Sequence, residues 1–339
     1  MNRCSTQSIA VEGFYWGGLN FSTKGRLDSA SGHAWTVAPP LMESILSFQP
    51  AGGKPFTTTL NDAVMGSVRL TGILDEPSSD SLVLIIHGHG SNANSRSCAD
   101  MARAARHAGI ASLRLSQRGA DLSGEDIYHG GLTDDLKAAL SSPEILKYKK
   151  IFVAGYSIGG QIAMRSVIDR VDPRIRAVAA ICSPLDVAAA ADEFDRPTMA
   201  VYRSHVFSGL NRVYATTAKR RTLPTPIETV RKARSVRERD ELTVVKRFGF
   251  QSADQYYKAI QMSDQTQNLD LPSLLVTSQN DPIVPMHTLR RAICNASPAL
   301  SVVSVNAGGH MYFPKELDLG QKGDRGLENQ VIQWLISNQ

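Results

Sequence analysis

The chain has 339 residues, of which 42% are hydrophobic and 20% are charged. This composition provides enough apolar material for a sizeable core and excludes an intrinsically disordered protein. No apolar run is long enough to span a bilayer, and the first twenty residues lack the continuous apolar region of a secretory signal. We therefore expect a cytoplasmic protein without a transmembrane segment.

The charge is distributed unevenly along the chain. The net charge is only +5, but residues 196–247 hold thirteen Lys or Arg against four Asp or Glu. Such runs are usually solvated helix faces, and weak contact with an anionic surface is the alternative that the sequence leaves open. No nucleic-acid-reading motif accompanies the charge, so nucleic acid is not an expected partner.

The four cysteines are spread over the whole length, at Cys4, Cys98, Cys182 and Cys294. They form no C-x-x-C pair, which argues against both a zinc site and a disulfide framework. The sequence therefore predicts buried, reduced thiols.

The first sixty residues show no clear periodicity and are interpreted as an N-terminal arm. In residues 64–74, apolar and polar side chains partly alternate, as in a half-exposed antiparallel strand. Residues 82–86 (LVLII) are continuously apolar, which is typical of a strand buried on both faces.

From this strand to the end of the chain, predicted strands and helices alternate. The strands are 110–115, 151–154, 177–181, 273–277 and 300–305, and the helices are 98–107, 133–140, the one that follows residue 157, 286–294 and 327–336. Strands that alternate with helices of about ten residues predict an α/β fold, with a mostly parallel sheet flanked by helices.

Residues 186–270 interrupt this alternation. Connections in such folds usually have about 2–6 residues, whereas this segment is far longer, favours helices and holds the basic excess. We interpret it as an inserted, mainly helical lid. The core is then formed by residues 61–185 and 271–339.

The most informative local motif is GYSIGG at residues 155–160, placed between a predicted strand and a predicted helix. A serine on such a tight turn stands above the sheet on a strained backbone, and small neighbours are needed where the chain passes close to adjacent elements. Gly155 and Gly159 meet that need. Ser157 is therefore the predicted nucleophile.

A serine hydroxyl becomes nucleophilic only when a base takes its proton. The predicted base is His310, which follows the strand 300–305, and the predicted orienting carboxylate is Asp281, which follows the strand 273–277. Both lie at the carboxyl ends of predicted parallel strands, the edge where such sheets place their sites. Asp186, after the strand 177–181, is a rival for the acid role.

Acyl transfer passes through an oxyanion that needs two backbone donors. The N–H of Ile158 is one predicted donor. The other is the N–H of His89, which lies in the HGHG turn at residues 87–90. Whether the side chain of His89 also contacts substrate stays open. Arg118 and His129 are interpreted as structural residues that pair with Asp134 or Asp135, rather than as catalytic ones.

Over roughly residues 60–337 the sequence resembles the α/β-hydrolase family. The resemblance rests on four motifs in the family's order: HGHG at 87–90, GYSIGG at 155–160, DPIVP at 281–285 and GGH at 308–310. It implies a serine esterase with a Ser157–His310–Asp281 triad and, in the inserted segment, a cap over the acyl pocket.

Within the family, QRG at 117–119 and YHGGLTDDL at 128–136 are similar to the YheT-like branch. This likeness implies medium-chain or lipid acyl esters as substrates. The chain departs from the branch at Ala120-Asp121, where members commonly have Cys after the Arg-Gly pair, and at Gly130, where they commonly have Ser.

The sequence thus predicts a serine hydrolase that cleaves carboxylic esters through an acyl-enzyme and needs no metal or organic cofactor. Its expected partner is a small-molecule ester or a lipid-like acyl substrate. Two alternatives stay open: an acyltransferase of the same fold, and a non-catalytic member that only binds a ligand. The sequence does not indicate the oligomeric state.

Overall fold

The computed structural model describes residues 7–9, 14–16, 19–21, 31–37 and 51–339. Much of the predicted N-terminal arm therefore lies outside the described residues. The strands are β1 (Gln7–Ile9), β2 (Phe14–Trp16), β3 (Leu19–Phe21), β4 (Lys54–Asp62), β5 (Gly66–Asp75), β6 (Ser81–Ile86), β7 (Ala111–Ser116), β8 (Lys150–Tyr156), β9 (Ile175–Ile181), β10 (Ser273–Ser278) and β11 (Leu300–Val305).

From β6 onward at least one helix follows each strand, and one further helix precedes β4. The helices are α1 (31–37), α2 (Arg96–His107), α3 (Asp134–Leu140), α4 (Pro143–Leu146), α5 (Ile158–Ile168), α6 (Val187–Phe194), α7 (Ala200–Ala218), α8 (Ile227–Val230), α9 (Val236–Asp240), α10 (Lys246–Phe248), α11 (Ala253–Ile260), α12 (Met286–Cys294) and α13 (Leu327–Ser337). Short 3₁₀ turns at Pro197–Met199 and Thr266–Asn268 and a π-helical turn at Glu241–Val245 lie among them. The elements predicted from residue 82 onward are confirmed to within a few residues.

Nine strands form one sheet in the order β1-β11-β10-β9-β8-β6-β7-β5-β4, and β2 pairs with β3 separately. Neighbours in the main sheet are parallel except in the pairs β4–β5 and β5–β7. The predicted α/β architecture with a mostly parallel sheet is therefore confirmed. Because β6, β8, β9, β10 and β11 are parallel, the loops at their carboxyl ends meet at one edge.

The sheet extends into the predicted arm, past the boundary expected at residue 61. β4 begins at Lys54 and pairs with β5 along its whole length, and β1 pairs with β11. Apart from the buried Phe56, the side chains of β4 are exposed or half-buried. An edge strand of this kind lacks the apolar alternation that reveals a half-buried strand.

The core consists of two apolar clusters, one on each face of the sheet. Along β6, Leu82, Leu84 and Ile86 belong to one cluster, whereas Val83 and Ile85 belong to the other. Side chains alternate across a strand, so a strand covered on both sides must be apolar at every position. This explains the continuous apolar run at residues 82–86.

The inserted segment (residues 186–270) packs on the loop that joins β7 to α3. Val213 and Tyr214 of α7 share an apolar cluster with Ile127 and Tyr128 of that loop. Buried ion pairs reinforce this contact. The guanidinium of Arg247 bonds the carboxylates of Asp62 and Asp126. Arg118 pairs with the same two carboxylates and also with Asp135.

Cys98 and Cys182 are free and buried, as predicted, but Cys294 is disulfide-bonded, so the expectation of a reduced thiol is wrong there. Within the described part of the chain, no helix is both long enough and apolar enough to cross a membrane. The cytoplasmic location stays a prediction from the sequence.

Candidate active site

Ser157 occupies a strained turn between β8 and α5. Its φ is +51° and its ψ is −123°, a conformation that costs a non-glycine residue energy and is characteristic of functional turns. A Cβ on Gly155 would lie 2.1 Å from the carbonyl oxygen of Gly159, and a Cβ on Gly159 would lie 2.6 Å from the carbonyl oxygens of Ile86 and His87. The turn therefore requires glycine on both sides of the serine, as the motif predicts.

His310 and Asp281 form a buried hydrogen-bonded pair. His310 Nδ1 lies 2.9 Å from Asp281 Oδ2, and Oδ1 of the same carboxylate accepts the backbone N–H groups of Ile283 and Val284 at 2.8 and 2.9 Å. These contacts fix the orientation of both groups. The rival carboxylate, Asp186, instead caps α6 by accepting the N–H of Ala189 at 3.1 Å.

Ser157 and His310 line one cavity of about 400 Å³. It opens between the carboxyl edge of the sheet and the inserted segment. The segment contributes mostly apolar side chains from α6, α7, α9 and α11, namely Val187, Ala190, Ala191, Phe194, Tyr202, His205, Val206, Val236, Asp240 and Tyr256. The inserted segment therefore forms part of the wall of the cavity that Ser157 lines.

The HGHG loop lies directly against the serine, since a Cβ on Gly88 would be 3.4 Å from the Cβ of Ser157. The ring of His87 holds this loop: Nδ1 bonds the carbonyl oxygen of Gly88 at 2.7 Å, and Nε2 accepts the N–H of Gln117 at 3.1 Å. Burial lowers the pKa of His87 to about 4, so this ring is neutral at pH 7.

The backbone N–H groups of His89 and Ile158 flank this site. Within residues 51–339, neither donates a hydrogen bond to a protein group. Ile158 is the first residue of α5, where N–H groups have no partner inside the helix. Both groups are therefore available to bind a negatively charged oxygen.

Two contacts to the loop that contains His310 could not be predicted from the sequence. Thr36, in α1, accepts the backbone N–H of His310 through Oγ1 at 2.9 Å, so the N-terminal region takes part in the site. Cys182 Sγ accepts the N–H of Met311 at 3.3 Å. Cys182 and Met311 both have positive φ, +48° and +66°, so this bond joins two strained residues beside the imidazole.

Cys182 also lies close enough to Asp281 and His310 for the three side chains to form a candidate metal-binding group, with ligand atoms within 4.8 Å of one another. A metal would need the thiolate. Burial, with the charge of Asp281, raises the pKa of the Cys182 thiol well above its ordinary value. This chemistry favours a neutral thiol beside an imidazole–carboxylate pair.

Arg118 and His129 lie outside the cavity lining. Arg118 pairs with Asp135, as expected, and not with Asp134. His129 pairs with neither aspartate. Its Nδ1 accepts the N–H of Gly131, its ring packs edge-on against Phe248, and burial lowers its pKa to about 3. Their contacts are structural.

A mostly parallel sheet with a strained strand-to-helix serine, and with loops carrying a histidine and an aspartate at the same edge, defines the α/β-hydrolase class. The family model described as "Serine aminopeptidase, S33" matches residues 77–318. The chain belongs to this family of α/β hydrolases.

Known proteins similar to this chain include YheT-like members of the class. A "Putative esterase YheT" of Escherichia coli is 23% identical over 267 residues, which cover 75% of this chain and 76% of that protein. An "Abhydrolase domain-containing protein" of Dictyostelium discoideum is 24% identical over 245 residues, 70% of this chain but only 62% of the relative's length. The structure of the esterase Pf2001 of Pyrococcus furiosus shares the fold, with a TM-score of 0.50 and 16% identity, over 78% of this chain and 88% of that one.

Proposed function

We propose that this protein is a serine hydrolase that cleaves carboxylic esters through an acyl-enzyme. The observation that carries the proposal is the shared cavity, in which the strained Ser157 and the histidine of the His310–Asp281 pair line one wall. Two similar proteins, the putative esterase YheT of Escherichia coli and the esterase Pf2001, are named as esterases, which supports an ester as the substrate.

In the proposed mechanism, His310 Nε2 takes the proton of Ser157 as Oγ attacks the ester carbonyl. Asp281 keeps the proton of the imidazole on Nδ1 and stabilises the imidazolium that forms. The N–H groups of Ile158 and His89 bind the oxyanion. As the carbon–oxygen bond to the alcohol breaks, His310 returns the proton to the leaving alcohol.

The same groups then hydrolyse the acyl-enzyme, with water in place of the alcohol. His310 takes a proton from water, whose oxygen attacks the acyl carbon, and the proton passes to Ser157 as the acid leaves. Every bond that breaks is matched by one that forms, and the nucleophile, the base and the oxyanion donors are all groups of this chain.

We further propose that the inserted segment acts as a lid over the acyl chain. Its side chains on the cavity wall, such as Val187, Phe194 and Val206, are mostly apolar, and apolar walls favour hydrocarbon over water. A small ester with an acyl chain, or a lipid-like ester, fits this lining.

A fluorophosphonate probe tests the nucleophile. Wild type should be labelled on Ser157, and Ser157→Ala should not be labelled, as read by intact mass and peptide mapping. Ser91→Ala is the matched control, because Ser91 lines the same cavity but lies outside the proposed triad, and it should still be labelled. Labelling of Ser157→Ala at wild-type rate would refute the proposal.

A further inference from the structure

The short helix α1 lies against both loops of the candidate catalytic pair. Thr36 Oγ1 accepts the backbone N–H of His310 at 2.9 Å. A Cβ on Gly309 would lie 2.4 Å from the carbonyl oxygen of Gly32. A Cβ on Gly32 would in turn lie 1.8 Å from the carbonyl oxygen of Asn280, which directly precedes the aspartate of the pair. The backbone of α1 therefore touches the loop that follows β11 and the loop that follows β10.

The hydroxyl of Thr36 is oriented by its own helix. It donates to the carbonyl oxygen of Gly32, four residues earlier, at 2.7 Å. A hydroxyl has one proton and two lone pairs. Because the proton is used within α1, Oγ1 meets the N–H of His310 as an acceptor. The position of the His310 backbone is thus tied to the helix.

The loop around His310 needs such support, because its backbone is strained on both sides of the histidine. The φ of Gly308 is +109° and the φ of Met311 is +66°. Unfavourable conformations of this kind persist only when the surrounding structure holds them. Removal of the Thr36 hydroxyl would leave an N–H of a buried residue without its acceptor, which is unfavourable. We therefore expect the loop to relax and the imidazole to shift.

The same helix also bonds the inserted segment. His33 Nδ1 lies 2.8 Å from the hydroxyl oxygen of Tyr202 in α7, and the two rings stack with their centroids 5.6 Å apart. Tyr202 and Thr36 belong to the described lining of the cavity, whereas His33 does not. α1 therefore joins the inserted segment to the backbone of His310.

We propose that α1 is a positioning element that aligns His310 with Ser157 and couples this alignment to the inserted segment. Thr36 is the positioning residue, because its hydroxyl holds the backbone of the proposed base. The contact between His33 and Tyr202 links the position of α7 to the position of α1. The catalytic consequence rests on the proposed function, but the hold of α1 on the loop does not.

Kinetics of two Thr36 variants test the positioning role. Thr36→Val keeps the branched shape of the side chain but removes the acceptor, whereas Thr36→Ser keeps the hydroxyl. A catalytic group that moves by about 1 Å can cost about 100-fold in rate. We expect Thr36→Val to lower kcat on a p-nitrophenyl ester about 10- to 100-fold, with KM changed much less, and Thr36→Ser to restore most of the loss. A wild-type kcat in Thr36→Val, or no recovery in Thr36→Ser, would overturn the proposal.

Thr216→Val is the matched control. Thr216 Oγ1 donates to the carbonyl oxygen of Arg212, four residues earlier in α7, at 2.8 Å, which is the bond that Thr36 makes to Gly32. Thr216 is not part of the described lining of the cavity. Its replacement should leave kcat unchanged. A loss equal to that of Thr36→Val would show that any helical hydroxyl has this effect, and would overturn the role of the contact to His310.

Hydrogen–deuterium exchange measures the hold of α1 on the loop without catalysis. Peptides that contain His310 should exchange about tenfold faster or more in Thr36→Val, and at the wild-type rate in Thr36→Ser. Peptides from β8 should not change in either variant. Wild-type exchange at His310 in Thr36→Val, or equally faster exchange in β8, would overturn the proposal. Faster exchange confined to the loop, in a protein that cleaves no ester, would refute the proposed function and still support the hold of α1.

His33→Phe tests the coupling to the inserted segment. The new ring can still stack on Tyr202 but cannot bond its hydroxyl, and position 33 lies outside the described cavity lining. We expect kcat to fall about 3- to 10-fold, which corresponds to the usual contribution of one hydrogen bond. If the effect passes through Thr36, the double variant with Thr36→Val should lose less than the product of the two single losses. A wild-type kcat in His33→Phe, or losses that simply multiply, would overturn the coupling.

Discussion

His310 Nδ1 and Asp281 Oδ2 lie 2.9 Å apart although 29 residues separate them in the chain. They come from loops that follow the neighbouring strands β10 and β11, which are parallel and in register from Ser273 to Ser278. The strand pairing therefore places the two loops side by side. The backbone N–H groups of Ile283 and Val284 bond the other oxygen of the Asp281 carboxylate and so orient the carboxylate toward the imidazole. The geometry suits a carboxylate that orients an imidazole.

Replacing Asp281 by Asn tests this role. The amide keeps the volume of the carboxylate but can no longer hold the imidazole in the required tautomer or stabilise its charged form. We expect kcat on a p-nitrophenyl ester to fall roughly 10⁴-fold, with KM changed much less. Steady-state kinetics on purified protein would measure both.

The rival carboxylate provides the control for that experiment. Asp186 caps α6, and Asn caps helices about as well as Asp. Asp186→Asn should therefore retain wild-type turnover and stability. If turnover collapses in Asp186→Asn and survives in Asp281→Asn, the acid role belongs to Asp186.

The turn around the serine can be tested through Gly159→Ala. The added methyl would lie 2.6 Å from the carbonyl oxygens of Ile86 and His87, so the HGHG loop must shift away from Ser157. We expect a loss of about 1–3 kcal/mol in the free energy of unfolding, the usual cost of overpacking. Since the shifted loop carries the proposed oxyanion donor, kcat should fall at least 10²-fold, in line with the loss of one such donor.

Gly109→Ala is the matched control for this glycine. Gly109 also needs glycine, with φ +75°, but an added Cβ would meet nothing within 4 Å. The variant should lose about 1–2 kcal/mol from backbone strain and keep wild-type kcat. Equal kinetic losses in both variants would show that general destabilisation, and not the loop, explains the effect.

Local sequence determines much of this architecture. The run 82–86 predicts a buried strand because side chains on both faces are covered, and the glycines around Ser157 predict the turn because neighbouring carbonyls leave no room for a Cβ. β4 was not predicted, because most side chains of this edge strand are exposed or half-buried and so need no apolar pattern. Edge strands obtain their stability from hydrogen bonds to a partner, which composition does not reveal.

The proposed triad follows from motifs, but its surroundings do not. Thr36 contacts the backbone of His310 across 274 residues, and apolar side chains of the inserted segment line the same cavity as Ser157. Neither contact has a short-range signal, since each depends on how distant elements pack. Of the thirteen basic residues in 196–247, all within the described part of the chain, only Arg239 and Arg247 are buried, and their burial has no sequence signal either.

The ion pairs that attach the inserted segment to the core predict a large effect for Arg247→Met. The side chains of Arg247 and Asp126 are 3% and 0% exposed, so removing the guanidinium leaves carboxylates buried without their full compensation. We expect the free energy of unfolding to fall by about 3–5 kcal/mol, measured by urea denaturation. Arg231→Met, which breaks an exposed pair with Glu228, should change it by less than about 1 kcal/mol; similar losses in both variants would contradict a special role for burial.

Glu328 predicts a pH dependence of stability. The hydroxyl of Tyr156 donates to its Oε1 at 3.0 Å, and burial raises the pKa of Glu328 from 4.5 to about 7. Between those two values the folded protein binds more protons than the unfolded chain, so stability falls as the pH rises. Below pH 4.5 the contribution is fully present, and above about pH 7 it is lost.

Glu328→Gln isolates this contribution, because the amide is neutral at every pH and keeps an acceptor for Tyr156. Burial lowers the pKa of His87 to about 4, which makes stability rise with pH below about 6.5, but this effect is common to wild type and variant and cancels in their difference. The melting temperature of the variant minus that of wild type should therefore increase from pH 5 to pH 7. At pH 8 this difference should remain positive and no longer change with pH. Glu144→Gln, at an exposed position of α4, should show no such trend. A difference between Glu328→Gln and wild type that is independent of pH would mean that Glu328 is ionised throughout this range in the folded protein.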